Sequence, residues 1–169
     1  DRETADFIHY FVNDDETRVI AAFVEQFRDP QKLLEVAQLA AKRGKPIVVL
    51  KVGRSEGGRR AALAHTGSLV GSDDIADAVM RQHGITRVGS IDEMLETLAI
   101  FHARKLPRGN GVATVFMSGG AAGLASDLGA DLGLHYPPLA EETKSQLAEI
   151  IPAYGTIDNP LDTSGQLWE

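Results

Sequence analysis

Two apolar runs separated by one capped helix constrain this 169-residue chain more than any other feature. Thr17 to Glu25 reads TRVIAAFVE and Lys45 to Gly53 reads KPIVVLKVG. Each is a short, β-branched run of the kind expected for a strand buried on both faces. Between them, Asp29-Pro30 places a capping side chain before a proline at the first helical position, and Gly44 stops the helix. Strand, helix and strand at this spacing form a βαβ unit, which requires a parallel sheet with crossover helices on its faces.

The alternation continues along the chain. Arg2 to Val12 carries a mixed helical pattern that Asn13-Asp14-Asp15 ends. Ser72-Asp73-Asp74 opens a helix that stops at His83-Gly84. A short strand, ITRVG, follows. Ser90 and Glu93 have the spacing of a capping box for a helix to about Arg104. KLPRGNG, around Lys105 to Asn110, reads as a linker. Beyond it, VATVFMSGGAAGLASDLGADLGL gives strand, glycine-rich turn, helix and the start of another strand. A helix from about Glu141 to Ile150 precedes the irregular PAYGTIDNPLDTSG. The expected fold is α/β, with two parallel-sheet units at 1–105 and 106–169. Both read as incomplete, since the first has only about three strands.

Composition narrows the function classes. Apolar residues make up 43% of the chain, enough for a core, and the formal net charge is -7. That balance argues against nucleic acid as a partner, which calls for a basic footprint. There is no cysteine, hence no thiolate nucleophile and no sulfur-ligated metal. No apolar run approaches the roughly 18 residues of a membrane span. No signal-peptide pattern opens the chain. The expected setting is cytoplasmic, with no membrane partner, and a start without Met reads as a piece of a longer polypeptide.

Three features carry possible chemistry. The turn FMSGGAAG, Phe116 to Gly123, follows a strand and opens a helix. Unpaired N–H groups of a first helical turn attract anions, and Gly119 and Gly120 with Ala121 allow close approach of a phosphate. The same turn also fits a plain strand-to-helix connection. Glu25 ends the first strand, where ligands of open α/β sheets gather. It reads either as a solvated charge or as a carboxylate that fixes an imidazole tautomer. His65, within RRAALAHTGSLVGSDD, stands in a glycine- and alanine-rich stretch read as a flexible loop, whereas His9, His83 and His102 belong to helices. It is either a surface histidine or a nucleophile on a segment that moves. Lys51, Arg54, Arg59 and Arg60 flank this stretch and read as a basic edge or an attraction for phosphate.

KPIVVLKVGRSEGGRRAALAHTGSLVGSDD resembles the phosphohistidine segment of the NDP-forming acyl-CoA synthetases, a superfamily that includes succinyl-CoA synthetase and ADP-forming acetyl-CoA synthetase. TRVIAAFVEQFRDPQKLLEVAQLAAKRGKPIVVLK is similar to the preceding strand–helix–strand of its flavodoxin-like domain. GVATVFMSGGAAGLASDLGADLGL and IDNPLDTSG resemble parts of the next flavodoxin-like domain. The resemblance spans essentially the whole chain. It implies three-layer αβα units and an acid–thiol ligase. In that reaction a carboxylate becomes an acyl phosphate, CoA displaces phosphate, and a histidine relays the phosphoryl group from nucleotide, with ADP and phosphate as products.

Carried onto this sequence, the phosphorylated residue is His65 and the orienting glutamate is Glu25, followed by Gln26 where the family has glycine. Ser118, Gly119, Gly120 and Ala121 form one phosphate station, and no metal ligand is implied here. The substrates of such an enzyme are CoA, a carboxylic acid and ATP/ADP with Mg²⁺. They are bound mainly by a CoA-binding domain and an ATP-grasp domain or subunit outside this chain, so the isolated chain is expected to be inactive and the whole oligomeric. A ligand-sensing module of a protein acetyltransferase, with similar domains and no catalysis, is the alternative.

Overall fold

The computed structural model describes residues 2–67, 71–103 and 107–165; the side chains of His65 and Thr66 lie outside the described residues. The chain divides into two compact units, Asp1–Leu106 and Pro107–Glu169. The middle of the KLPRGNG linker falls on residues outside the description.

In the first unit, α1 (Thr4–Asn13) leads into β1 (Ile20–Val24), then α2 (Pro30–Lys42) and β2 (Ile47–Lys51). They are followed by α3 (Glu56–Thr66), α4 (Asp73–Gln82), β3 (Thr86–Val88) and α5 (Ile91–His102). The sheet is parallel in the order β1-β2-β3, with Ile20 opposite Ile47 and Val24 opposite Lys51. β2 is central, and all five of its residues are buried. β1 differs from the expectation of two covered faces. Ile20, Ala22 and Val24 are buried, while Ala21 and Phe23 are exposed, because no described element lies over that face of this edge strand.

Two apolar clusters glue the layers. On one face, Ile8 and Val12 of α1, Leu33, Val36 and Ala40 of α2, and Met80 of α4 pack on Ile20, Val24, Ile47 and Val49. On the other, Val48, Leu50 and Val88 meet Met94, Leu98 and Phe101 of α5. Caps fix the helix starts. The Asp29 and Ser90 side chains accept from the N–H groups of Lys32 and Glu93. Glu93 reaches back to the N–H of Gly89, one residue beyond the expected capping-box partner Ser90.

The RRAALAHT stretch, expected as a loop, is helical as far as Thr66. Ser55 caps α3 by accepting from the Gly58 N–H at 3.0 Å, and Glu56 pairs with Arg60 at 2.8 Å one turn on. The Ala-rich run has high helix propensity and outweighs Gly57 and Gly58. Buried Ala62 seats the helix. Gly67 ends α3 in the left-handed region at φ +68°, donating its N–H to the Leu63 carbonyl. Gly67→Ala is expected to cost roughly 1 kcal/mol through the Cβ penalty in that conformation, read as a lowered unfolding midpoint.

In the second unit, β4 (Val115–Phe116) leads into α6 (Gly119–Asp131), followed by α7 (Glu141–Ala148) and β5 (Leu161–Asp162). β5 lies inside the stretch read as irregular, and pairs in parallel with β4, Phe116 opposite Asp162. Two residues of strand are too few for a periodicity to show. Their pairing is secured by Asn159, whose amide nitrogen donates to the carbonyls of Val112 (2.8 Å) and Pro137 (2.9 Å). No helix among the described residues is long and apolar enough to cross a membrane.

Candidate functional site

Parallel strands deliver their carboxyl ends to one edge of the sheet, and the candidate residues of the first unit collect there. Glu25 follows β1 directly and is half-buried. The Val52 N–H donates to the Val24 carbonyl at 2.9 Å, so the start of the segment leading to α3 is tied to the residue before Glu25. Glu25 also lines an open cleft of about 460 Å³ with Phe7, Phe23, Gln26 and Arg28. α3 starts four residues past the end of β2, and its last turn carries the backbone of His65. The imidazole itself, and Ser68 to Val70 after it, lie outside the described residues.

Of the basic residues flanking this segment, Arg60 takes a surface pair with Glu56. Lys51 is the unexpected one. It ends the central strand with its side chain 4% exposed, 3.8 Å from the Asp73 carboxylate. Arg87 of β3 meets the same carboxylate at 2.6 Å and reaches Asp77 at 3.4 Å. Burial pushes the Lys51 ammonium below its ordinary pKa, with Asp73 opposing. The Arg87 hydrogen bond holds Asp73 below the usual carboxylate value against its own desolvation. Asp73 opens α4, so this cluster moors the chain where it returns from the His65 segment. At the other end, Gly53 (φ +77°) makes the turn out of β2. A Cβ on Gly58 would approach the Gly53 Cα to 3.2 Å, so α3 packs tightly on that turn. The segment is thus held at both ends by the sheet.

In the second unit, Ser118 is the N-cap of α6, with no side-chain capping hydrogen bond. Gly119, Gly120 and Ala121 therefore form a first turn whose N–H groups lack a side-chain cap. The sequence reading missed a neighbour. Asp162, at the end of β5 and 7% exposed, places Oδ2 3.0 Å from where a Gly119 Cβ would stand. Its position at the carboxyl end of a parallel strand was the available signal, hidden because β5 was not recognisable as a strand.

The comparisons with known proteins follow this geometry. Residues 1–101 match the family model "Succinyl-CoA ligase like flavodoxin domain". The chain is 36% identical over 98% of its length to the alpha subunit of acetate–CoA ligase [ADP-forming] I from Pyrococcus furiosus, spanning 35% of that protein. It is 34% identical over 95% of its length to 4-hydroxybutyrate–CoA ligase [ADP-forming] from Nitrosopumilus maritimus, spanning 23% of it. Among solved structures, a dinucleotide-forming acetyl-coenzyme A synthetase 1 from Ca. Korarchaeum cryptofilum, in complex with phosphate and ADP, superposes with a TM-score of 0.84 at 29% identity. That match covers 98% of this chain and 36% of the other. The chain thus spans about a third or less of these relatives, and it belongs to the succinyl-CoA ligase-like flavodoxin-domain family of the NDP-forming acyl-CoA synthetases.

Proposed function

We propose that this chain is the phosphohistidine-bearing part of an ADP-forming acyl-CoA synthetase. The observation that carries the reading is the run of matches to ADP-forming CoA ligases over nearly the whole chain. Those matches favour a ligase over the ligand-sensing alternative.

In this reading the imidazole of His65 attacks the terminal phosphorus of ATP, and ADP leaves. The carboxylate of the acid then takes the phosphoryl group from nitrogen, freeing the imidazole and giving an acyl phosphate. The CoA thiol, losing its proton, attacks the acyl carbon and expels phosphate. Glu25 accepts a hydrogen bond from one ring nitrogen, which leaves the other with its lone pair for phosphorus. The first turn of α6, at Ser118 to Ala121, receives the phosphoryl oxygens on backbone N–H groups. Between the two stations the imidazole travels on the segment anchored at Gly53 and Asp73, so only the chain between these anchors need rearrange.

Mg²⁺ accompanies the nucleotide and neutralises its phosphates. Among the described residues no cluster of three His, Asp or Glu side chains could hold a metal ion, so on this account the cation is held outside this chain. CoA, the acid and ATP are likewise bound chiefly by the remaining domains or subunit of an oligomeric enzyme.

The test is the product set. The complete protein carrying this chain, given CoA, ATP, Mg²⁺ and a series of carboxylic acids beginning with acetate, is expected to release ADP and phosphate in equal amounts with acyl-CoA. Release of AMP and pyrophosphate contradicts the proposal. Glu25→Gln is expected to slow phosphorylation of His65 on the order of a hundredfold or more, since an orienting carboxylate acts through tautomer and alignment. The unfolding midpoint should hold steady at this half-buried position. Unchanged phosphorylation removes Glu25 from the orienting role.

A further inference from the structure

A buried carboxylate is a strange companion for a phosphate station. Asp162 stands beside the first residue of α6, where an anion is to be held. Its Oδ1 accepts from the Ser164 N–H at 2.9 Å, and the Ser164 hydroxyl lies 3.3 Å from Oδ2. Both oxygens face donors of one residue, which fixes the carboxylate in place. Asp162 also lines a cleft of about 290 Å³ along the same flank of the helix, with Gly119, Ala122, Gly123 and Ser126.

Two like charges a few ångströms apart repel by several kcal/mol at a partly buried site. The repulsion reverses into a hydrogen bond when the incoming oxyanion carries a proton. A P–OH group donates to the carboxylate in a short, charge-assisted bond. Phosphate species near neutral pH carry such a proton; sulfate does not. A fixed acceptor next to backbone donors therefore sorts oxyanions by protonation rather than by size, and mispairing a buried polar group is the costly error.

We infer that Asp162 is the specificity-determining residue of the α6 station, admitting protonated phosphate and excluding the aprotic oxyanion of the same shape. The inference rests on the phosphate-station reading above and adds the ligand's protonation state to it. Gly119 fits the same account. A Cβ there would press on Oδ2 at 3.0 Å, so glycine is what lets acceptor and helix terminus converge.

The probe is radiolabelled inorganic phosphate, bound at equilibrium to the complete protein with sulfate as competitor. In the wild type, a hundredfold excess of sulfate should displace little phosphate. In Asp162→Asn, sulfate affinity should rise at least tenfold and phosphate affinity should fall, abolishing most of the discrimination. Asp162→Glu, which keeps an acceptor, should restore part of it. Gly119→Ala, which displaces Oδ2, should weaken discrimination without removing the carboxylate, and it serves if the asparagine variant does not fold. Equal competition by sulfate in the wild type overturns the proposal, as do unchanged ratios in the variants or an absence of phosphate binding. Discrimination that follows Asp162 while ATP leaves His65 unlabelled would overturn the phosphohistidine reading and leave this one standing.

Discussion

His65→Ala in the complete protein is expected to abolish acyl-CoA synthesis, with a fall of at least roughly a thousandfold in turnover. The size of the effect follows from the role. A covalent carrier has no substitute: without a ring nitrogen the phosphoryl group has no route from nucleotide to acid, and neither Glu25 nor the basic residues nearby can supply a stable phosphoramidate. CoA-dependent phosphorolysis of acyl-CoA needs no histidine. Exchange of phosphate with the acyl group should therefore persist in the variant while ADP phosphorylation is lost. Retention of net synthesis in His65→Ala would show that the histidine is not the carrier. The unfolding midpoint should stay close to that of the wild type, since α3 is stabilised by Ser55, Ala62 and Gly67 rather than by its last turn.

The largest stability effect is expected at Asp73. Its carboxylate lies between the Arg87 guanidinium at 2.6 Å and the Lys51 ammonium at 3.8 Å, the latter nearly out of contact with solvent. Removing one partner of a buried ionic cluster strands the others, at about 3 kcal/mol. Asp73→Asn should thus lower the unfolding midpoint by roughly 10 °C at neutral pH. Asp77 retains part of the Arg87 pairing, which keeps the loss from being larger.

Replacing the stranded cation as well should recover stability. Lys51→Met in the Asp73→Asn background is expected to return a substantial share of the loss, a non-additive result that a double-mutant cycle reads directly. Strict additivity of the two changes would show that they do not share a cluster.

The pH dependence has two signs here. Asp73 titrates below its unfolded value near 3.8, so its contribution is complete above that value and is lost as pH falls through the folded one. Lys51 titrates below its unfolded value of 10.5. Between its folded and unfolded values the unfolded chain binds more protons, so stability from this group rises with pH in that window. Asp73→Asn should flatten the acid limb, and Lys51→Met the alkaline one.

The architecture was legible where local signals and burial agree. β2 is buried on all sides, and its apolar run announced it; Asp29-Pro30 and Gly44 marked the ends of α2 to within a residue or two. The rest depended on tertiary context. RRAALAHT was read as a loop because of its glycines, yet Ala propensity, the Ser55 cap and the Gly67 terminus make it a helix. Phe23 belongs to an apolar run but faces outward, since burial of an edge strand depends on what lies over it.

Lys51 looked like the start of a basic edge, and only the fold shows it paired behind Asp73. Asp162 could not be connected to Gly119 from the sequence at all. More than forty positions separate them, and the pairing of β4 with β5 is what brings them together.

The central claim is that His65 carries a phosphoryl group. The most direct measurement incubates the complete protein with γ-labelled ATP and Mg²⁺, digests it, and maps label that survives base but not acid. The account predicts label on the peptide containing His65, chased off by ADP or by the carboxylic acid. Base-stable label on another residue, or the same labelling in His65→Ala, would contradict it.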